Sequence, residues 1–221
     1  TKLARINATG KGGHASMPEG TVNAIGLLVT YLLDNNLCGE AERDFLTFSQ
    51  QLCSTTDGTG TGIQSADDKF GPLTCISGTI RTKGDVYVQT IDSRYPTSTT
   101  GEAITARMTE LGAEHGCTFE VLSDAVPFYI DPSSPEITTL LDTFHEYTGS
   151  KEQAFVIGGG TYARHFKRAV AFGPYDSKAA KDLPEWIGME HGPDEGISEE
   201  WLKRALKIYI VSIARLMQLD L

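Results

Sequence analysis

Five short stretches of this chain carry side chains that could do chemistry. The first runs Gly10-Lys11-Gly12-Gly13-His14-Ala15-Ser16-Met17-Pro18, with Gly20 and Asn23 close behind. An imidazole on a glycine-flanked loop can approach a ligand closely, or it can simply be solvated. The second is Asp92-Ser93-Arg94-Tyr95-Pro96. A guanidinium at a strand end can clamp a carboxylate with two parallel hydrogen bonds, or pair with a neighbouring acid such as Asp92 or Glu102. The third is Gly158-Gly159-Gly160-Thr161, where successive backbone N–H groups could face an anion or merely form a turn. It is neither a Walker loop nor a dinucleotide fingerprint. The fourth is Glu190-His191-Gly192-Pro193-Asp194-Glu195, an imidazole with acids close enough to orient it. The fifth, Glu199-Glu200, needs no role beyond a favourable place in the first turn of a helix.

The elements that must hold these stretches follow from periodicity and punctuation. Residues 3–8 are expected as a strand ahead of the His14 loop. From Asn23 onward Ile25, Leu28, Val29, Leu32 and Leu33 share one helical face, and a second helix is expected over 40–52. The Ser/Thr/Gly-rich residues 54–62 read as an exposed loop. Residues 73–82 and 86–95 should form a hairpin about Lys83-Gly84-Asp85. A helix over 101–115 and a strand over 117–122 complete a β-α-(α)-β-β-α-β order, the ferredoxin-like arrangement with one helix inserted. That order closes a first domain at residues 1–126, and Pro127, Pro132 and Pro135 mark a linker. Residues 127–221 predict a helix over 136–148, short strands at 154–157 and 169–172, and a final helix capped by Ser198. The core face of that helix is expected to be Leu202, Leu206, Tyr209, Ile213 and Leu216. Two short strands do not make a covered parallel sheet, so this half reads as an incomplete α/β domain.

Composition narrows the function classes. With 40% hydrophobic and 22% charged residues the chain can bury an ordinary core. A formal net charge of -10 argues against nucleic acid and anionic membrane as partners. Cys38, Cys53, Cys75 and Cys117 form no C-x-x-C pair. They read as small buried thiols of a reducing, cytoplasmic compartment rather than a structural zinc site or a disulfide framework.

The order of the motifs is more specific than any one of them. Gly10, His14-Ala15-Ser16, Pro18, Gly20 and Asn23-Ala24 come first, then Asp92-Ser93-Arg94-Tyr95-Pro96. Ile157-Gly158-Gly159-Gly160-Thr161-Tyr162-Ala163-Arg164 follows, and last His191-Gly192-Pro193-Asp194-Glu195. This series resembles the co-catalytic zinc metallopeptidase family of aminoacylases, carboxypeptidase G and dipeptidases. It is most like the dipeptidase V branch of beta-Ala-Xaa and carnosinase-like dipeptidases, and the likeness covers nearly the whole chain. The resemblance implies an α/β protein with a ferredoxin-like α+β lid joined to part of a zinc-peptidase catalytic domain. It implies that His14 stabilises an oxyanion and that Arg94 grips the free carboxylate of a dipeptide. Asn23, Gly159, Gly160 and Thr161 would line the substrate site. His191 would be the last ligand to one of two zinc ions, with Glu195 behind it.

The same resemblance exposes what is missing. The family's H-x-D pair, bridging Asp, Glu-Glu pair and further acid belong ahead of the lid. None of the histidines here is followed by x-Asp. The expectation is therefore a fragment: inactive alone, unable to hold zinc, and completed by an N-terminal catalytic half. Three readings stay open for the parent or the piece. They are a dipeptidase, an amidase or deacylase of N-acyl amino acids, and a non-catalytic binding or dimerisation module whose lid pairs with a second copy.

Overall fold

The computed structural model describes residues 3–173, 175–188 and 194–220. They divide into two compact units, one formed by Thr1–Phe128 with Val156–Gly159, the other by Tyr129–Phe155 with Gly160–Leu221. The fold is a mixture of helices and small antiparallel sheets.

In the first unit α1 (Ala24–Asp34) starts where Asn23 Oδ1 accepts the Ile25 N–H at 2.9 Å, a side-chain cap that replaces the missing helical partner. Helix α2 (Glu40–Leu52) places Glu40 and Glu42 in its first turn and buries Phe48, Ser49 and Leu52. A short hairpin follows, β1 (Ala66–Asp67) with β2 (Gly71–Pro72), which periodicity did not suggest because each strand has two residues. The long hairpin is β3 (Thr74–Lys83) against β4 (Val86–Arg94). It turns through Gly84, whose φ of 59° suits the first central position of a tight two-residue loop. Gly78 and Thr79 together oppose Thr90, a β-bulge in which the Thr79 N–H donates to Thr90 Oγ1 at 2.9 Å. Helix α3 (Gly101–Glu114), capped by Thr100, lays Met108 and Leu111 on the sheet. Phe48, Leu52, Ile63, Leu73, Cys75, Met108 and Leu111 form the core.

The expected ferredoxin-like sheet does not form among the described residues. Residues 3–8 join no ladder, and Leu3 is 96% exposed. Residues 117–122 also stay unpaired, although Cys117 and Phe119 pack on the core. The outer edge of β3 already has other partners. The Cys75 N–H donates to the Thr56 carbonyl at 2.8 Å, and Asn23 Nδ2 donates to the Ser77 carbonyl at 2.8 Å. The loop over 54–62 is mostly exposed, as expected, but it also meets the β3 edge through Thr56 and is anchored by the buried Gly58 and Thr61. Gly58 lies buried at φ 79°, where an added Cβ would sit 2.8 Å from Ile63 Cγ1.

In the second unit α4 (Pro135–Thr148) begins at Ser134 with proline in its first turn and stops at Gly149, φ 68°. Helix α5 (Ser177–Lys181) is capped by Asp176, a carboxylate that also receives Arg204 at 2.6 Å. Helix α6 (Glu199–Leu216) packs on α4. Its buried face is Trp201, Ala205, Ile208 and Ser212, not the expected one, and Leu202, Leu206 and Ile213 are exposed. Helix α6 is apolar on more than one side, so apolar spacing alone does not fix which side meets α4. Arg215 ties the pair by donating to Thr143 Oγ1 at 2.9 Å. Residues 154–157 and 169–172, expected as strands, have no described strand to pair with and run as irregular chain.

Candidate functional site

The His14 loop is closed at its neck by a two-way bridge. The Lys11 N–H donates to the Val22 carbonyl at 3.0 Å, and the Val22 N–H donates to the Lys11 carbonyl at 2.9 Å. Gly10 is needed at that neck, because a Cβ there would fall 2.4 Å from the Val22 carbonyl oxygen. Inside the loop the Ser16 backbone N–H donates to His14 Nδ1 at 3.2 Å, and Ser16 Oγ lies 2.7 Å from the same nitrogen. A backbone N–H can only donate, so Nδ1 accepts. In the neutral ring the proton then sits on Nε2, which is left as a donor.

Arg94 ends β4. Its Nε donates to Asp92 Oδ1 at 2.6 Å and its Nη2 donates to Asp92 Oδ2 at 2.8 Å. This fork uses the side edge of the guanidinium. The Nη1 end makes no hydrogen bond among the described residues, so the ion pair and a second carboxylate can coexist on one arginine. With 37% and 45% of the two side chains exposed, the pair itself adds no more than about 1 kcal/mol to stability.

The turn after Arg94 is anchored by Asp67. Its Oδ2 accepts from Thr97 N at 2.7 Å and Thr97 Oγ1 at 2.6 Å, and its Oδ1 accepts from Phe70 N at 2.7 Å. The Thr97 hydroxyl first, and the Phe70 N–H next, hold the Asp67 carboxyl down at about 2. Tyr95 donates its hydroxyl to Asp124 Oδ1 at 2.6 Å.

These parts meet in one cleft of the first unit. Ser16, Thr74, Arg94, Tyr95, Ile157 and Gly158 are among its lining residues. Its volume is about 70 Å³, well above the roughly 10–15 Å³ that one water needs on the same measure, so a carboxylate group fits. Gly158 backs onto Ser16 so closely that a Cβ would lie 2.4 Å from Ser16 Cβ. The structure thus brings together the histidine loop (through Ser16), Arg94 and the start of the glycine stretch.

Other candidates have different surroundings. Asn23 is engaged at both ends of its carboxamide, as the α1 cap and as donor to Ser77. Gly159 is half-buried, and a Cβ added there would meet only Ile157 Cδ1, at 3.7 Å. In the second unit Gly160 faces Arg164, and Thr161 Oγ1 caps the short 3-10 turn Tyr162–His165. His191 lies outside the described residues. Glu195 lies within them, but no group of three or more His, Cys, Asp and Glu side chains that could hold a metal gathers among the described residues. The described residues therefore do not make up a zinc centre. The four cysteines are free thiols, and burial pushes Cys53 and Cys117 up and Cys75 up to about 11, which leaves these three protonated at neutral pH. No helix among the described residues is long and apolar enough to cross a membrane.

Thr74 and Asp67 were not singled out from sequence. Asp67 is legible in hindsight as the turn residue of Asp67-Asp68-Lys69-Phe70-Gly71. Thr74 carries no sequence signal, because threonine in a strand is unremarkable.

Compared with known protein families, the chain matches no family model. It is similar to a Staphylococcus epidermidis (strain ATCC 12228 / FDA PCI 1200) protein named "Putative dipeptidase", at 30% identity over 212 residues. That match covers 94% of this chain and 43% of the relative. It is also similar to "Putative dipeptidase YtjP" of Bacillus subtilis (strain 168), at 30% identity over 206 residues, 92% of this chain and 42% of the relative. The chain spans less than half the length of the curated relatives it matches.

Proposed function

We propose that this chain supplies the substrate-holding part of a dipeptidase, and that the cleft beside Arg94 receives the free carboxylate of a dipeptide. The observation that carries the reading is the half-used guanidinium. Asp92 holds the side edge of Arg94 in a fork, Nη1 makes no hydrogen bond among the described residues, and Arg94 lines a cleft that Ser16 and Gly158 also line. The names of the relatives support the substrate class.

The roles follow from the donors. Arg94 binds and orients the carboxylate through its Nη1 end, while Asp92 holds the other edge of the guanidinium. His14, kept with its proton on Nε2 by the Ser16 N–H, donates to oxygen as negative charge develops at the scissile carbonyl. Zinc dependence, and the pair of zinc ions implied by the resemblance, belong to the same proposal. Among residues of this chain only His191 stands where that resemblance puts a zinc ligand. The other ligands and the general base would come from an N-terminal catalytic half, and this chain alone would not turn over substrate.

The test is steady-state hydrolysis by the full-length gene product of a dipeptide and of its C-terminal amide. Arg94→Lys keeps the charge and loses the fork, so kcat/KM for the free acid should fall by the equivalent of about 1.5–3 kcal/mol. The amide should be nearly spared. Equal losses on acid and amide would remove the carboxylate clamp.

A further inference from the structure

Thr74 is the cross-strand neighbour of Arg94, paired with it in the β3–β4 register, and both line the same cleft. Its side-chain oxygen is sealed from solvent and has no hydrogen-bond partner. Ser49, Gln89, Ser93 and Ser212 also leave a buried polar atom unpaired, but none of them lines this cleft. An unpaired buried hydroxyl destabilises a fold, and valine, of nearly the same shape, would fill the position without that cost. A threonine kept beside an arginine with one free end therefore asks for a partner that arrives from outside.

The backbone around it is fixed. The Leu73 N–H donates to the Ser65 carbonyl at 2.7 Å and the Cys75 N–H donates to the Thr56 carbonyl at 2.8 Å. Leu73 and Cys75 are 0% and 2% exposed. Because its oxygen is sealed, Thr74 presents the hydroxyl to the cleft only on rotation about χ1, the one freedom left to it.

We infer that Thr74 is a second donor to the carboxylate bound at Arg94 and so a specificity-determining residue of the site. This inference rests on the carboxylate-clamp reading of the cleft. The hydroxyl donates to one carboxylate oxygen while the open Nη1 end of Arg94 donates to the other. The two together fix the plane of the carboxylate, which a single guanidinium edge already tied to Asp92 does less well. A C-terminal amide can still turn its oxygen to Arg94 and its N–H₂ to the Thr74 hydroxyl, which then accepts, but neither bond is strengthened by a carboxylate charge, so the free acid is preferred.

The experiment uses Thr74→Val, which keeps shape and removes the hydroxyl, and Thr74→Ser, which keeps the hydroxyl. Steady-state kinetics of the full-length gene product on a dipeptide and its C-terminal amide are read together with thermal melting of this chain. Thr74→Val should raise KM for the free acid about tenfold and for the amide by clearly less, and should melt no lower than the parent chain. Thr74→Ser should stay close to the parent. If Thr74→Val matches the parent on both substrates while Arg94→Lys still separates acid from amide, Thr74 has no such role and the clamp stands. If Thr74→Val lowers the melting temperature and harms acid and amide alike, the residue is structural and the inference fails. If Arg94→Lys does not separate acid from amide, the clamp falls and Thr74 falls with it.

Discussion

Replacing Gly158 by alanine tests whether the glycine stretch really abuts the histidine loop. The new Cβ would lie 2.4 Å from Ser16 Cβ, 3.2 Å from its Oγ and 3.5 Å from its Cα. Carbon atoms in ordinary contact sit about 3.5–4.0 Å apart, so the two segments must part by more than about 1 Å. The clash is not with a flexible tip, because Ser16 Cβ is bonded directly to the backbone of a loop bridged shut at Lys11 and Val22. Overpacking of this kind costs roughly 1–3 kcal/mol. At about 2–4 °C per kcal/mol for a chain of this size, the melting temperature should drop by roughly 2–12 °C. Movement of Ser16 by that amount would also stretch its 2.7 Å contact with His14 Nδ1 beyond hydrogen-bond range. A misplacement near 1 Å costs about 10²-fold in turnover when the group is catalytic. Gly159→Ala is the control, since its Cβ would meet only Ile157 Cδ1, at an ordinary 3.7 Å, and its φ is not left-handed. Thermal melts and His14 ring resonances of the two variants decide the matter. A Gly158→Ala chain as stable as Gly159→Ala, with His14 undisturbed, would show that the glycine stretch does not press on Ser16.

Two further predictions follow from side-chain geometry. Side-chain ¹⁵N shifts of neutral His14 should show Nδ1 unprotonated and Nε2 carrying the proton, and Ser16→Ala should weaken that preference without reversing it, because the backbone N–H remains. A native chain with the proton on Nδ1 would contradict the oxyanion role. Asp67, held at about 2, lies below its ordinary value. Its contribution to stability is therefore full above about 4 and is lost as pH falls toward 2. Urea midpoints of the parent and Asp67→Asn chains should converge over that window, and parallel curves would mean that the Thr97 anchor contributes nothing.

The sequence carried the helices and the long hairpin more fully than the rest of the sheet. Helices α1, α2, α3, α4 and α6 announce themselves by apolar spacing, with Asn23 and Ser198 marking two of the starts, while the caps at Thr100 and Ser134 are known from the structure. The β3–β4 hairpin is local, and Gly84 marks its turn. The strands expected at 3–8 and 117–122 failed for a common reason. Alternation reports which side chains are buried, and Cys117 and Phe119 do reach the core, but it says nothing about whether a partner edge is free. The edge of β3 is taken by Thr56 and by the Asn23 carboxamide, groups 19 or more positions away from the β3 residues they meet. The face of α6 went wrong differently. That helix is apolar on more than one side, and only the partner helix decides which side is covered.

The site divides along the same line. His14, Arg94 and the glycine stretch were legible because their types and order are unusual, and a motif needs no knowledge of contacts. What joins them was not legible. The approach of Gly158 to Ser16 spans the sequence from one loop to another, and Thr74 becomes notable only when its hydroxyl is found unpaired across the strand from Arg94. Asp92 lies between the two cases. Its spacing from Arg94 suggests an ion pair, a competitor for a carboxylate clamp. The geometry removes the conflict, because Asp92 occupies Nε and Nη2 and leaves Nη1 open. An arginine with both edges free would have to order its whole side chain on each binding event. One held by an acid has already lost that freedom, so the remaining edge binds with less entropy still to lose.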